Sequence, residues 1–547
     1  MSFIVILFLV AVVILLVKRL ERKRSFRRLP PSSGERCEPK TPVHHRHLHI
    51  IFMAAEQDSS IFRAKLFDVL SLNSFKNSLK PGEPPLEQGW IPFLGKAIEF
   101  SQHTPGLLSS CQQKWGDIFT IHIIGKYMTF ILNPLHYPFV LQHKKKLSFN
   151  EFSTMVSSKA FGHPPVNDLK IPGFSKEIHN FYHYLQGNEL NILNESTMQN
   201  LQSILKKEQM WTTEWRTESM YDFCCRVMIE TSYISLYGKA PNDEQKQIIE
   251  LNKKFHKFDR MVRYLFAMIP IELLGNTKTI RKELINYFLG EKLDQRLNMA
   301  NIIQKRKNLL EQCSHLLDHQ RAAHHFTLLW ASLANTVPAS FWALYYLVKN
   351  PEALAAVQNE IDHVLQATGQ RVGPDFNISL NKEDLDSMRM LGSAVNESLR
   401  LCSSSLIIRV AQEDFTIKLE EEEGIKLRKG DFVVFHPMTM HMDPEIYEDP
   451  EVYKYNRFVE NGMEKTAFYK GGKKLRHYLM PFGCGISMCP GRHFAVSEIK
   501  MFLSLMLASF DMEIVQGEKS VGFNIASSCL GVLSPDSDVL FRYKLRQ

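Results

Sequence analysis

The chain has 547 residues, of which 44% are hydrophobic and 23% charged, and its formal net charge is +8. Nine cysteines form no regular framework, and an odd number in a chain of this length argues against a disulfide scaffold and for a reduced, cytosol-facing protein. Residues 18–28 supply six of the eight net charges, and the remaining +2 argues against a nucleic-acid-binding surface.

The N-terminus carries an uninterrupted apolar run, residues 3–17, directly before this basic run. A helix over it rises about 22 Å, and the flanking residues can complete the roughly 30 Å thickness of a bilayer. Because the positive charge follows the apolar run, the pattern differs from a cleaved signal peptide. We predict a membrane anchor over residues 1–20, with the rest of the chain in the cytosol by the positive-inside rule.

Residues 21–80 show no sustained periodicity and contain several prolines. Four histidines cluster between positions 44 and 49, but no second group of metal ligands accompanies them. We expect residues 21–80 to form a basic, proline-containing linker with an irregular insertion. Residues 81–547 are expected to form one large domain.

The first element predicted in this domain is a β-hairpin, because residues 116–132 alternate in polarity on either side of Gly125 and Lys126. Long amphipathic helical patterns follow at 244–257, 315–349 and 351–368. Short strand patterns return at 415–417, 431–435 and 539–544. The predicted fold class is therefore mainly α with a minor β portion.

Pro338 interrupts the longest helical pattern. It cannot donate a hydrogen bond to the carbonyl of Ala334, so the helical ladder is expected to open at that turn, which also contains Asn335 and Thr336. A freed carbonyl and local space suit a small polar ligand or a water molecule. Alternatively, Asn335 is a buried polar residue that caps the kink.

Two cysteines lie close together in "PFGCGISMCPGRHFA". Pro490 is favoured at the first position of a helix, and apolar residues recur at helical spacing after it, which predicts Cys489 at a helix N-terminus. The helix dipole and free N–H groups there favour a thiolate, the form that binds metal. Cys484 precedes this geometry and is interpreted as a small filler.

The surroundings of Cys489 indicate which metal centre it suits. Gly485 and Gly491 allow the close approach of a flat group, and Phe482 supplies an apolar wall. A single thiolate without the paired CxxC spacing of zinc or iron–sulfur sites suits a haem iron with an axial cysteine.

The run from Phe482 to Gly491 is similar to the cysteine loop of the cytochrome P450 superfamily, F-x-x-G-x-x-x-C-x-G. The resemblance implies the cytochrome P450 fold and haem b, with Cys489 as the axial iron ligand. Ser487 stands where most members carry a basic residue that pairs with a haem propionate. We expect Arg409 to make that contact instead.

Two further segments resemble the same family. Glu397 and Arg400 lie on one helical face in "NESLRL", and "HMDPEIYEDPEVYKYNRF" is similar to the segment that contributes Arg457 to the family's Glu-Arg-Arg triad. Residues 324–348 resemble the helix that crosses the distal face of the haem. The expected oxygen-pocket residues are Ala334, Asn335 and Thr336, and the expected substrate contacts are Trp330, Ser404, Ser405 and Leu406.

Most monooxygenases of the family carry an acid followed by threonine where this chain has Ala334 and Asn335, which puts the ordinary proton relay in doubt. The asparagine narrows the resemblance to the branch of sterol 7α-hydroxylases and prostacyclin synthase. Several segments between about Lys80 and Gln547, such as "LWASLANTVPASFW" and "GKKLRHYLMPFG", are similar to oxysterol 7α-hydroxylases.

The resemblance implies an enzyme of the endoplasmic reticulum membrane that 7α-hydroxylates oxysterols, such as 25- or 27-hydroxycholesterol, and related 3β-hydroxysteroids in bile acid and steroid metabolism. Electrons would come from NADPH through NADPH–cytochrome P450 reductase, and a basic rim at 470–476 favours an acidic redox partner. Two alternatives stay open: a prostacyclin-synthase-like isomerase, and a non-catalytic haem- or sterol-binding protein.

Overall fold

The structure, a computed structural model, describes residues 79–546 apart from positions 92, 166–172, 209, 243–244, 374–375 and 420–423. The predicted anchor at 1–20 and nearly all of the linker at 21–80 lie outside the described residues. Within the described part, no helix combines the length and the apolar character needed to cross a bilayer.

Helices dominate the described chain. In chain order they are α1 (Ala97–Trp115), α2 (Tyr137–Leu141), α3 (Phe149–Phe161), α4 (Phe174–Asn180), α5 (Gly187–Lys207), α6 (Met220–Tyr237), α7 (Gln245–Phe266), α8 (Thr277–Ile285), α9 (Gly290–Leu293), α10 (Asn301–Gln312), α11 (Asp318–Leu333), α12 (Thr336–Lys349), α13 (Pro351–Ala367), α14 (Lys382–Ser387), α15 (Arg389–Cys402), α16 (Pro437–His441) and α17 (Arg492–Ser509). The three predicted helical patterns correspond to α7, to α11 with α12, and to α13, and are confirmed.

The strands are short. They are β1 (Leu86–Glu87), β2 (Ile118–Ile123), β3 (Lys126–Ile131), β4 (Leu147–Ser148), β5 (Arg216–Ser219), β6 (Ile407–Ala411), β7 (Phe415–Ile417), β8 (Ile425–Leu427), β9 (Phe432–Phe435), β10 (Val459–Glu460), β11 (Met463–Glu464), β12 (Tyr469–Lys470), β13 (Lys473–Lys474), β14 (Phe510–Ile514) and β15 (Leu540–Leu545). The main sheet has the order β1-β2-β3-β9-β6-β4, and a second sheet has the order β14-β15-β5.

The predicted hairpin is confirmed as β2 and β3, which pair antiparallel from Ile118↔Ile131 to Ile123↔Lys126. Its two-residue turn holds Ile124 at φ 48° and Gly125 at φ 69°. Positive φ at both turn positions matches the right-handed twist of the flanking strands. A Cβ at Gly125 would also lie 2.7 Å from the Phe93 ring, so the turn requires glycine.

Helix α12 lies at the centre of the largest apolar core and packs against α6, α15 and α17. Buried residues lie on all sides of this helix, from Val337 to Val348. A helix that is apolar all round is typical of a core position. The N-terminus of α12 is thereby fixed, and with it the break that separates α12 from α11.

Candidate active site

Cys489 lies in a short loop between a 3-10 turn over Gly485–Ser487 and the start of α17. Its backbone N–H donates to the Phe482 carbonyl at 2.8 Å, which closes the loop. The helix begins at Arg492, so the predicted helix start at Pro490 is two residues too early. The chain is still in a turn at Pro490, and the first helical turn follows it.

Hydrogen-bond donors surround the Cys489 sulfur. Burial raises the pKa of the Cys489 thiol, while the backbone N–H groups of Gly491 and Arg492 and the charge of Arg492 act in the opposite direction. Such donors favour the thiolate when a cation replaces the proton. Cys484 differs because it lies in an apolar cluster, where burial raises the pKa of its thiol to about 11. Its position agrees with the interpretation as a filler.

Arg409, on β6, reaches the cysteine loop from the main sheet. Its guanidinium donates to the carbonyls of Ile408 at 2.8 Å and Cys484 at 3.2 Å, and to the Ser487 hydroxyl. The side chain is 4% exposed, and burial lowers the pKa of Arg409. Among the residues that the structure describes, only neutral groups bond to this cation. A buried charge without a counter-ion is costly, so the position suits an anionic group.

The structure brings the predicted triad together behind the cysteine loop. Arg400 donates to both carboxylate oxygens of Glu397 at 2.7 and 2.9 Å, and Arg457 donates to Glu397 at 2.9 Å. Glu397 and Arg400 have no exposed surface. Arg400 also donates to the His441 carbonyl at 2.6 Å. Because every charge has a bonded partner, the triad acts as a buried structural joint.

The distal helix is broken where Pro338 predicts it. Residues Ala334 and Asn335 separate α11 from α12, and the ladder resumes where the Ala339 N–H donates to the Asn335 carbonyl at 3.1 Å. The Asn335 side chain does not cap α12. Its Oδ1 instead accepts a hydrogen bond from the Val532 N–H at 2.9 Å.

Asn335 therefore ties the helix break to the C-terminal segment 525–533. The approach is close, since a Cβ at Gly531 would lie 1.9 Å from Asn335 Oδ1. The neighbouring Thr336 is buried. The capping alternative for Asn335 is replaced by a tertiary contact that holds two distant segments together.

The segment 403–409 connects the helix break with the cysteine loop. At one end Ser403 bridges Val532, and Ser405 bridges Cys529. At the other end Arg409 contacts the cysteine loop. The distal break, the C-terminal segment and the cysteine loop therefore belong to one continuous hydrogen-bonded frame.

The predicted substrate residues differ in accessibility. Ser404 is fully buried and bonds through its backbone, its N–H donating to Gly531 and its carbonyl accepting from Cys529, both at 2.8 Å. Ser405 and Leu406 are half-buried. The latter two residues can thus contact a bound molecule directly, whereas Ser404 supports the wall behind them.

Trp330 lies one helical turn before the break, since its carbonyl accepts the Ala334 N–H at 2.9 Å. The Trp330 ring packs against Phe161 and Phe266, with centroid distances of 5.1 and 5.7 Å. The indole N–H donates to Oδ1 of Asp259 on α7 at 2.8 Å. The distal wall therefore contains a carboxylate among aromatic rings.

The sequence model of the cytochrome P450 family matches residues 84–540, which is most of the chain. The chain belongs to the cytochrome P450 family. This confirms the resemblance inferred from the cysteine loop, and it makes the expected cofactor of this P450 a haem with a thiolate ligand.

Curated relatives of this P450 match it over nearly all of their own length. Mouse cytochrome P450 7B1 is 43% identical over 86% of this chain and 92% of its own length. Rat 25-hydroxycholesterol 7-alpha-hydroxylase is 42% identical over 75% of this chain and 99% of its own length. Hamster (Cricetulus griseus) cholesterol 7-alpha-monooxygenase is 40% identical over 85% and 94%, respectively.

The residues of this P450 fit a haem. In the cysteine loop the Cys489 sulfur has hydrogen-bond donors in the backbone N–H groups of Gly491 and Arg492. The buried Arg409 guanidinium supplies a cation for a propionate. Gly491 lies directly beside the sulfur, since a Cβ there would be in ordinary contact with Cys489 Sγ at 3.9 Å. The donor set is therefore that of a haem-thiolate site.

Sequence reasoning missed Asp259. On α7 the residues that face the core recur at helical spacing, and Asp259 falls one position after one of them, Phe258. A single acid at the edge of an apolar face gives only a weak signal, because most such acids reach solvent. Its bond to Trp330 joins two helices that are distant in sequence.

Proposed function

We propose that this P450 is a haem-thiolate monooxygenase that 7α-hydroxylates oxysterols, such as 25- or 27-hydroxycholesterol, and related 3β-hydroxysteroids, in bile acid and steroid metabolism. The observation that carries the proposal is the 40–43% identity, over most of the chain, to relatives that include two named as 7α-hydroxylating enzymes. The donor set around Cys489 supports it independently.

The proximal residues would hold the cofactor. Cys489 would ligate the iron, Phe482, Gly485 and Gly491 would shape the loop around the ligand, and Arg409 would pair with a propionate. Bound haem supplies the iron that activates dioxygen, with a thiolate ligand that favours O–O cleavage. Gly491 and Arg492 N–H groups would keep the Cys489 sulfur in its charged form.

The distal residues would control protons and water. Asn335 Oδ1 is occupied by Val532, which leaves the Asn335 amide N–H group as the donor for a water molecule or for bound oxygen. Thr336 would contribute a hydroxyl, and Ala334 leaves room without adding an acid. In the proposed proton route the Asn335 amide would therefore position a water molecule, and the Thr336 hydroxyl would relay the proton.

The substrate wall suits a flat apolar molecule. Trp330 and Leu406 would face the sterol body, and Ser405 and the backbone around Ser404 would flank it. Pockets of this kind bind through apolar area and take orientation from a few polar groups. A sterol with one or two hydroxyls matches that composition.

The proposed partners and location follow from charge and the N-terminal run. Lys473, Lys474 and Arg476 are exposed beside the cysteine loop and would face NADPH–cytochrome P450 reductase. Lys470 is instead ion-paired with Asp443 and Glu445. The predicted anchor at 1–20 would hold the protein in the endoplasmic reticulum membrane, with the catalytic domain in the cytosol.

The test is reconstitution with NADPH–cytochrome P450 reductase, NADPH and a panel of sterols, followed by product identification. We expect NADPH-dependent 7α-hydroxy products from at least one oxysterol. Turnover that proceeds without NADPH would indicate an isomerase, and a protein that binds haem and sterol without consuming NADPH would be a carrier. Either result contradicts the proposal.

A further inference from the structure

Asp259 is a carboxylate in an aromatic environment. It lies on α7 beside Phe258, which is fully buried and packs against Phe161 and Phe326 at centroid distances of 6.0 and 5.1 Å. Its single hydrogen bond among the described residues is the one from Trp330. Burial raises the pKa of Asp259 to about 6, against the hydrogen bond from Trp330 and the charge of Arg260.

The two oxygens of Asp259 differ in their surroundings. Oδ1 accepts the Trp330 indole N–H at 2.8 Å. Within the described residues Oδ2 has no donor, yet it is not among the polar atoms sealed from solvent, and the residue as a whole is half-buried. Oδ2 is therefore available to accept a hydrogen bond from a molecule outside the protein chain.

The position of Asp259 can be compared with that of the predicted dioxygen pocket at the helix break. Trp330 precedes Ala334 by one helical turn, about 5.4 Å along the axis. Asp259 lies on the far side of the Trp330 indole N–H, on the helix that packs over Phe161 and Phe326. The carboxylate of Asp259 therefore lies beside the distal helix, about one turn before the break at Ala334 and Asn335.

The chemistry of an ionised carboxylate defines its ligand. It accepts hydrogen bonds and donates none. Among these aromatic side chains the matching group is a donor without charge, and the donor that sterols carry is an alcohol O–H. We infer that the free oxygen of Asp259 accepts a hydrogen bond from a hydroxyl of the bound sterol, held in place by Trp330. The inference rests on the proposed function, and it assigns a specificity residue to the site.

Two hydroxyls of an oxysterol can donate this hydrogen bond, the 3β-hydroxyl and a side-chain hydroxyl. Three ligands separate them: 25-hydroxycholesterol carries both, cholesterol lacks the side-chain hydroxyl, and 25-hydroxycholest-4-en-3-one carries a ketone in place of the 3β-hydroxyl. A ketone only accepts hydrogen bonds, so it cannot bond to an ionised Asp259. Equilibrium binding of each ligand to the haem-loaded protein measures the preference.

We expect the wild-type protein to bind 25-hydroxycholesterol roughly ten- to a hundredfold more tightly than the analogue that lacks the recognised hydroxyl, the range for a hydrogen bond to a charged group. Asp259→Leu, which keeps the size of the side chain, should abolish that preference. The affinity of Asp259→Leu for the analogue should differ far less from that of the wild type. The analogue that loses affinity in the wild type identifies which hydroxyl is bound.

Asp259→Asn keeps an acceptor for Trp330 and removes the charge, so it tests the inference if the leucine variant fails to take up haem. It should reduce the preference several-fold. Glu250→Gln, at an exposed acid on the same helix, is the matched control and should retain the wild-type preference. Unchanged preferences in haem-loaded Asp259→Asn would overturn the inference while leaving 7α-hydroxylation by the wild type intact. A wild-type protein that binds no sterol would overturn the proposed function as well.

Discussion

The proximal and distal sides of the site differ in how their polar side chains are bonded. On the proximal side the triad places one carboxylate against two guanidinium groups, with every contact between 2.7 and 2.9 Å. On the distal side single side-chain hydrogen bonds, from Val532 to Asn335 and from Trp330 to Asp259, join segments that lie far apart in the sequence. The proximal side is built for rigidity, and the distal side leaves polar atoms available to ligands.

The difference in bonding matches the two proposed roles, since the proximal residues would hold the cofactor and the distal residues would select the substrate. A paired and hydrogen-bonded network keeps its geometry because breaking any partner strands a buried charge. A wall held by isolated hydrogen bonds loses less when one is removed. Substitutions on the proximal side should therefore affect haem content and folding, and those on the distal side should affect binding and coupling.

The largest effect is expected at the cysteine loop. Cys489→Ala should abolish thiolate ligation, because the donors around the sulfur then have no anion to stabilise. Cys484→Ala, five residues away in an apolar cluster, is the control and should retain ligation. The reduced carbon-monoxide difference spectrum distinguishes them. A thiolate band that survives in Cys489→Ala would contradict the assignment of the ligand.

The triad should show the next largest effect. Glu397→Ala removes the only carboxylate between Arg400 and Arg457 in their shared contact, and uncompensated buried charge costs about 3–5 kcal/mol. We expect a fall in melting temperature and in haem retention, measured by thermal unfolding. Glu448→Gln, at an exposed acid paired with Lys454, should stay close to the wild type. Equal stability of the two variants would mean that the triad is not a structural joint.

A buried acid behind the cysteine loop gives a pH-dependent effect. Burial raises the pKa of Glu498, on α17, to about 7, against a hydrogen bond from Ser232 at 2.6 Å. Because the folded pKa lies above the unfolded value near 4.5, the contribution of Glu498 to stability is full below about pH 4.5 and is lost as the pH rises through about 7.

Glu498→Gln keeps the polar side chain and removes this dependence. We expect the variant to gain stability over the wild type as the pH is raised from 5 to 8, by on the order of 2–3 kcal/mol. Thermal unfolding across this range measures the gain. Glu195→Gln, at an exposed acid on α5, should show no such gain. A constant difference between Glu498→Gln and the wild type would exclude titration of Glu498 in this range.

The smallest effect is expected at the helix break. Asn335→Ala leaves the Val532 N–H without its acceptor and removes the amide donor, at a cost of about 1–3 kcal/mol. We expect haem content near the wild type but less 7α-hydroxysterol per NADPH consumed. Asn335→Asp retains the acceptor for Val532 and loses the donor, so stability should recover while coupling stays low. Wild-type coupling in both variants would place the proton route elsewhere.

Much of the proximal side could be predicted from the sequence because its signals are local. The cysteine loop is a spacing of glycines, phenylalanine and cysteine within ten residues, and Glu397 and Arg400 lie one helical turn apart. The helix break also follows from one residue, Pro338. The sequence predicts the start of α17 two residues too early, because Pro490 and Gly491 are still in a turn and the helix begins after them.

The distal contacts could not be predicted in the same way. The bonds from Val532 to Asn335 and from Trp330 to Asp259 join segments that only the folded chain brings together. No periodicity or motif specifies such a pair, and each residue alone has an ordinary environment in its own helix or loop. In the roles proposed for them, these contacts select the sterol, which is why the motifs specify the chemistry more firmly than the substrate.

The contact between Asn335 and the C-terminal segment also carries an evolutionary consequence. Asn335 Oδ1 occupies the space that any side chain at position 531 would need, at 1.9 Å from a Cβ. Only glycine at 531 tolerates asparagine at 335 in this arrangement, so drift at one position is constrained by the other. The backbone adds a second constraint, because Gly531 has a φ of 155° that residues with a Cβ rarely adopt. Glycine at 531 should therefore persist even in lineages that exchange Asn335.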